Sequence, residues 1–372
     1  MAGGCGGGGG GGAAAPAVQP SGGLSVAGCV IDAGAPGCQA SISWSTANAT
    51  APRVLAGNRT LSTAASGTLS LQVGAEPLVV VLADGDRTLD EKTVTGACAS
   101  ASAWNGAQCR QFAVRAEERA ATPFVEDGRP VTLEVVIFRP LTPGPHPALL
   151  FHHGSTGNGD DPAAFRVTYV SEAIARYFAE RGWLVAFPQR RGRGASDGTY
   201  DEGFEPDHSR YSCSKAPALA GLERALQDAD AALLHLQRHP DVDANRMAAG
   251  GWSRGGILAL AQAGRRPDAY TGVVNFAGGW IGEGCADSVA VNRTTFAASA
   301  AFRGPTLWIY AHDDSFYSLA HSQANFDAFA AAGGKGQFLI YSRAPGLNGH
   351  FVINDPPLWE ADLGNFLARL GG

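Results

Sequence analysis

The chain has 372 residues, of which 45% are hydrophobic and 17% charged, and a formal net charge of −6. That length is long for one domain and comfortable for two, and the apolar content excludes disorder throughout. With neither a basic stripe nor an acidic block, the charge pattern argues against a nucleic-acid partner, and no apolar run approaches the length of a membrane span.

In chain order, residues 1–23 come first as a flexible linker, opening MAGGCGGGGGGG and continuing into an Ala/Pro stretch that cannot pack. Ala2-Gly3-Gly4-Cys5 resembles the small-residue end of a bacterial lipoprotein signal, in which the cysteine is lipidated. The charged and apolar parts of such a signal do not precede it here. Two readings stay open: a lipid anchor through Cys5, or a tail with an incidental cysteine. The other cysteines, Cys29, Cys38, Cys98, Cys109, Cys213 and Cys285, are even in number and hold two short spacings. They point to disulfides and an oxidising compartment, and the absence of Cys-x-x-Cys pairs argues against zinc. The expected pairs are Cys29–Cys38, Cys98–Cys109 and Cys213–Cys285.

Residues 24–98 are rich in Ser, Thr, Ala, Gly and Val, with short alternating runs and almost no helical period. Ala40-Ser41-Ile42-Ser43-Trp44 and Leu69-Ser70-Leu71-Gln72-Val73 alternate; Leu78-Val79-Val80-Val81-Leu82 is apolar throughout and stops near the turn signal Asp84-Gly85. Short strands with turns between them predict a small β-sandwich. With Cys29…Cys38, Ile42-Ser43-Trp44 and the Asp84-Gly85 turn, the segment resembles the immunoglobulin-like modules of bacterial extracytoplasmic proteins. The expected role is that of a spacer, with carbohydrate binding or stability alone as the alternatives.

Residues 99–114 read as a connector. From there to 372, strands and helices alternate, the pattern of a doubly wound α/β sheet. Strands are predicted at 131–138, 148–152, 183–187, 246–250, 273–276, 306–311 and 337–341. Helices are predicted at 171–181, 222–238, 255–263, 318–332 and 358–370.

The strongest chemical signal is Gly251-Trp252-Ser253-Arg254-Gly255, which fits G-x-S-x-G between a predicted strand and a predicted helix. Such a turn lifts the serine hydroxyl above the strand ends, and the Arg254 amide at the helix start faces a developing oxyanion. A serine needs a base, and the order for this arrangement is serine, acid, histidine. Of the downstream histidines, His312 precedes any suitable acid and His321 sits on a helix. His350 follows the last strand in a loop, which is where the base belongs.

Two adjacent aspartates, Asp313 and Asp314, follow strand 306–311. The segment 305–314 resembles the acid-bearing strand of dienelactone-hydrolase-like α/β-hydrolases, where the acid lies three residues beyond a Gly or Ala that ends the strand. Counting from Ala311 implies Asp314. His152-His153-Gly154-Ser155-Thr156-Gly157 resembles the His-Gly loop of the same superfamily. It implies a second oxyanion donor in the amide of Ser155, with that of Thr156 second, while His152 and His153 shape the loop. Gln189-Arg190-Arg191-Gly192-Arg193-Gly194-Ala195-Ser196-Asp197-Gly198 resembles the family's Arg-Gly-x-Gly-x-Ser-x-Gly loop. Trp252 and Trp280 are candidates for the wall of an acyl pocket. One departure stands out: dienelactone hydrolases proper carry a cysteine in the elbow, so lactone specificity does not transfer.

The expectation is a serine hydrolase cleaving a small-molecule or polymeric carboxylic ester through an acyl-serine, with no metal or organic cofactor implied. The alternatives are a serine exopeptidase of the same fold and a catalytically inert surface binding protein. The expected location is the periplasm, cell envelope or exterior of a bacterium.

Overall fold

The structure, a computed structural model, describes residues 18–370. Cys5 and the linker up to residue 17 lie outside the described residues. The chain forms two compact units that divide between Gln111 and Phe112.

The first unit is all β. Its strands are β1 (Ser21–Ala27), β2 (Cys29–Ile31), β3 (Cys38–Ala47), β4 (Pro52–Ala56), β5 (Arg59–Ser62), β6 (Ser66–Val73), β7 (Leu78–Asp84), β8 (Arg87–Val94), β9 (Gly96–Cys98), β10 (Ser102–Trp104) and β11 (Cys109–Gln111). One sheet runs β1-β3-β6 and another β5-β4-β7-β8. Alternation along β3 turns Ala40, Ile42 and Trp44 inward, where they meet Val54, Val80 and Leu82 of the second sheet in one buried cluster. Cys29–Cys38 and Cys98–Cys109 are bonded, with Cα separations of 5.9 and 5.5 Å. The segment expected as a connector therefore holds structure of its own: β10 and β11 pair antiparallel, stapled to β9 by the second disulfide.

The second unit is built on one sheet of eight strands. These are β12 (Ala113–Glu126), β13 (Arg129–Pro140), β14 (His146–His152), β15 (Leu184–Pro188), β16 (Val242–Trp252), β17 (Gly272–Phe276), β18 (Pro305–Ala311) and β19 (Lys335–Tyr341). Their spatial order is β12-β13-β15-β14-β16-β17-β18-β19. The first two strands pair antiparallel with each other, and β13 pairs antiparallel with β15; all later pairings are parallel. The helices are α1 (Pro162–Phe165), α2 (Glu172–Ala179), α3 (Lys215–Gln237), α4 (Arg254–Arg265), α5 (Thr294–Ser299), α6 (Leu319–Ala331) and α7 (Pro356–Arg369).

Every residue of β14, β15 and β17 is buried, as expected of central strands covered on both faces. On one face Ala148, Leu150, Ala249 and Val273 pack with Leu233 of α3 and Leu258 of α4. On the other, Phe151, Phe276, Tyr177 of α2 and Trp359 of α7 form a chain of aromatic contacts. Among the described residues no helix is long and apolar enough to cross a membrane.

Candidate active site

The elbow between β16 and α4 is a backbone problem before it is a chemical one. Ser253 holds φ 58° and ψ −124°, a conformation that costs an L-residue energy and persists only where the surroundings enforce it. Its amide donates to the Phe276 carbonyl at 2.9 Å, and its carbonyl accepts from the Gly256 amide at 2.9 Å. The flanking glycines permit this turn. A Cβ on Gly251 would lie 2.2 Å from the Gly255 carbonyl oxygen, and one on Gly255 would lie 2.0 Å from the His152 carbonyl oxygen. Gly255→Ala must therefore displace either β14 or the elbow. We expect it to reduce hydrolytic rate by at least a hundred-fold and to lower the melting temperature, checked by esterase assay and thermal denaturation.

The expected acid and base lie in the loops after β18 and β19. The Asp314 carboxylate accepts His350 Nδ1–H at 2.9 Å, and both side chains are nearly inaccessible to solvent. The other Asp314 oxygen accepts the amides of Phe316 and Tyr317 at 2.7 and 3.1 Å. Asp313 is exposed, has φ 61°, and contributes its backbone carbonyl to the Gly349 amide. Because a carboxylate only accepts, the His350 proton sits on Nδ1, leaving the Nε2 lone pair free. Asn348 ties the two loops: its carbonyl accepts the His350 and Ser315 amides, and its amide donates to Ser315 Oγ. Rings of Phe316, Trp252 and Tyr317 surround the imidazole at centroid distances of 4.5, 5.4 and 5.7 Å.

Ser253 opens onto a cavity of about 700 Å³ that is also lined by Ser155, Tyr211, Arg254, Trp280, Phe316 and Tyr317. Trp280 is thus part of the wall. Trp252 is not among the lining residues; its indole N–H donates to the His350 carbonyl at 2.7 Å and its ring stacks on Tyr169. Successive residues of the turn face opposite ways, and Trp252 packs against His350. The Cys213–Cys285 bond, with a Cα separation of 5.0 Å, lies in the same wall.

The loop after β14 passes close to Ser253. A Cβ on Gly154 would come 3.1 Å from Ser253 Cβ, so glycine allows the approach. The Thr156 amide is taken by the Tyr211 hydroxyl at 3.2 Å. The Ser155 amide bonds no other described residue, and Ser155 lines the cavity. Arg254 is the first residue of α4, and its amide is one of those a helix start leaves without an internal partner. His152 is pushed down to about 3 by burial, so it stays neutral over any working pH. His153 is likewise held well below its ordinary range, by burial and the Arg190 charge.

The order Ser253, Asp314, His350 on a sheet of order 1-2-4-3-5-6-7-8, with the serine on a strand-to-helix elbow, defines an α/β-hydrolase. The match to the dienelactone hydrolase family spans residues 133–349, and the chain belongs to that family. Solved structures similar to this chain include a dienelactone hydrolase from Anabaena variabilis, 17% identical over 69% of this chain and 97% of that one, TM-score 0.44. An esterase from Pyrococcus furiosus is 13% identical over 69% of this chain and 90% of its own, TM-score 0.48. Acetyl xylan esterase 1 from Thermoanaerobacterium sp. is 17% identical over 70% and 89%, TM-score 0.45. No curated protein matches the chain.

The Cys213–Cys285 bridge closes a loop across 72 residues of separation. Loop-closure entropy assigns it about 4 kcal/mol, which in a unit of this size is a melting shift of roughly 8 °C. The Cys213→Ser/Cys285→Ser double variant should melt lower by that amount and change its preference between small and bulky esters. Calorimetry and an acyl-chain panel check both. The three bridges indicate an oxidising, non-cytoplasmic location.

Proposed function

We propose that the protein hydrolyses carboxylic esters through an acyl-serine intermediate. Ser253 attacks the carbonyl, His350 takes its proton and returns it to the leaving alkoxide, and Asp314 holds the imidazole and stabilises its cation. The amides of Arg254 and Ser155 receive the oxyanion. Water activated by His350 then releases the acid. The observation that carries this reading is the buried 2.9 Å Asp314–His350 pair, bonded through the His350 carbonyl to Trp252, the neighbour of the strained elbow serine. An inert binding protein would have no need to hold either arrangement against its cost.

The cavity volume falls in the range of small-molecule sites, and its aromatic wall suits an acyl or aryl group of moderate size. The N-terminal unit serves as a spacer, and the protein works in the cell envelope or outside the cell, tethered through Cys5. The disulfides and the Ala2–Cys5 segment support this placement.

A panel of p-nitrophenyl esters set against aminoacyl-p-nitroanilides tests the reaction class. Turnover of short esters with negligible anilide cleavage is expected. Anilide cleavage at comparable kcat/KM would replace the esterase reading with an exopeptidase one.

A further inference from the structure

Resting on the proposed role of the Ser155 amide, we propose that Arg190, Glu202 and His153 are positioning residues that aim this amide at the reacting carbonyl. None of the three touches substrate. Their effect runs through one peptide group, that between Gly154 and Ser155.

A trans peptide carries its C=O and N–H on opposite sides, so whatever fixes the Gly154 oxygen also fixes the direction of the Ser155 N–H. That oxygen is held from behind, by His153 Nδ1–H at 2.8 Å and an Arg190 N–H at 3.4 Å. A second Arg190 N–H donates to the His153 carbonyl at 3.0 Å, so the guanidinium grips two successive peptides of the loop. The Arg190 backbone amide donates to His153 Nε2 at 3.4 Å, which sets the tautomer with its proton on Nδ1. The third edge of the guanidinium, Nε, bonds Glu202.

Glu202 extends the arrangement to the other oxyanion donor. Its carboxylate and its backbone carbonyl both accept from Arg254 Nη1, at 3.4 and 3.0 Å. One buried carboxylate thus clamps the loop that carries Ser155 and the residue whose own amide is the second donor. All three charged side chains are 5% exposed or less. Burial works against the Glu202 charge, yet Arg190 and Arg254 hold its carboxyl below the ordinary range. Buried, mutually bonded charges are costly unless fully satisfied, and here they specify the geometry of a loop that otherwise has few anchors. Lysine cannot reproduce this at position 190, because a point charge cannot reach two carbonyls and a carboxylate in one plane.

The test uses the full chain with p-nitrophenyl acetate. Arg190→Lys should lower kcat roughly 100-fold, the size expected for one misplaced oxyanion donor, with KM within about twofold. Phosphonylation of Ser253 by a fluorophosphonate should slow by a similar factor, because the P=O oxygen uses the same donors. His153→Leu should lower kcat about tenfold, and His153→Asn, whose amide N–H stands near the lost Nδ1–H, should restore most of it. A purely structural role would lower the melting temperature without this split between kcat and KM and without rescue by asparagine. Wild-type kcat in folded Arg190→Lys, or equal kcat in the two His153 variants, would overturn the proposal. Ser253→Ala run alongside separates the two claims. Substantial turnover there removes the reading on which this one rests; a Ser253→Ala near background beside an unaffected Arg190→Lys removes only this one.

Discussion

Ser253→Ala should cut kcat for ester hydrolysis by roughly a hundred-thousand-fold or more, leaving the small residue that oxyanion donors and binding alone supply. Without Oγ there is no acyl-enzyme, and water has no equivalent position. The fold should persist, because the strained backbone of the elbow is held by the Phe276 carbonyl, the Gly256 amide and the two glycines, none of which needs the hydroxyl. Alanine also tolerates a positive φ no worse than serine does. Circular dichroism and thermal melting should match the parent within a degree or two, while the esterase assay falls to background. Substantial remaining turnover would mean that another nucleophile operates.

Asp314→Asn should lose roughly ten-thousand-fold in kcat, whereas Asp313→Asn should stay within about twofold of the parent. Asparagine at 314 keeps one oxygen to accept the Phe316 and Tyr317 amides, so the loop should hold its shape. The group facing His350 then becomes an N–H₂, which donates. His350 must answer with an unprotonated Nδ1, moving its proton to Nε2, the atom that must be free to accept from Ser253. The positive charge that develops on the imidazole also loses its partner. At 313 the side chain is exposed, and what the position contributes is the backbone carbonyl that receives the Gly349 amide. Steady-state kinetics on the two variants decide between them; a larger loss at 313 would exchange the roles.

Much of this was legible in the sequence because it is local. The elbow needs glycines two residues either side of a serine, and the strand and helix around it announce themselves by composition. The base follows from topology, since the loop after the last parallel strand returns to the same sheet edge. The separation of Asp314 from Asp313 rested on a family count and not on the residues themselves. The positive φ at 313 that turns the two apart has no signature in an Asp-Asp pair. β12 escaped notice because its sequence, AVRAEERAATPFVE, alternates charge with small residues: it is an edge strand, held mainly by pairing with β13. α3 begins at Lys215, ahead of the expected 222, and Pro217 lies in its first turn, where a proline costs little.

The support around the site was hidden for a different reason. Glu202, Tyr211 and Asn348 lie in loops, where contacts are made by residues far apart in the chain and no periodicity marks them. Asn348 offered the one faint signal, an Asx residue just before the turn that carries the base. An aromatic beside Ser253 suggests a pocket wall from sequence alone, but the turn sends Trp252 toward His350.

The measurement that bears most directly on the assignment is mass mapping of the intact protein after reaction with a fluorophosphonate, followed in step with p-nitrophenyl acetate turnover. The account predicts one adduct per chain, on the peptide that contains Ser253, appearing as activity disappears and absent from Ser253→Ala. Full ester turnover by protein that carries the Ser253 adduct, or inactivation with the adduct on any other residue, would contradict it.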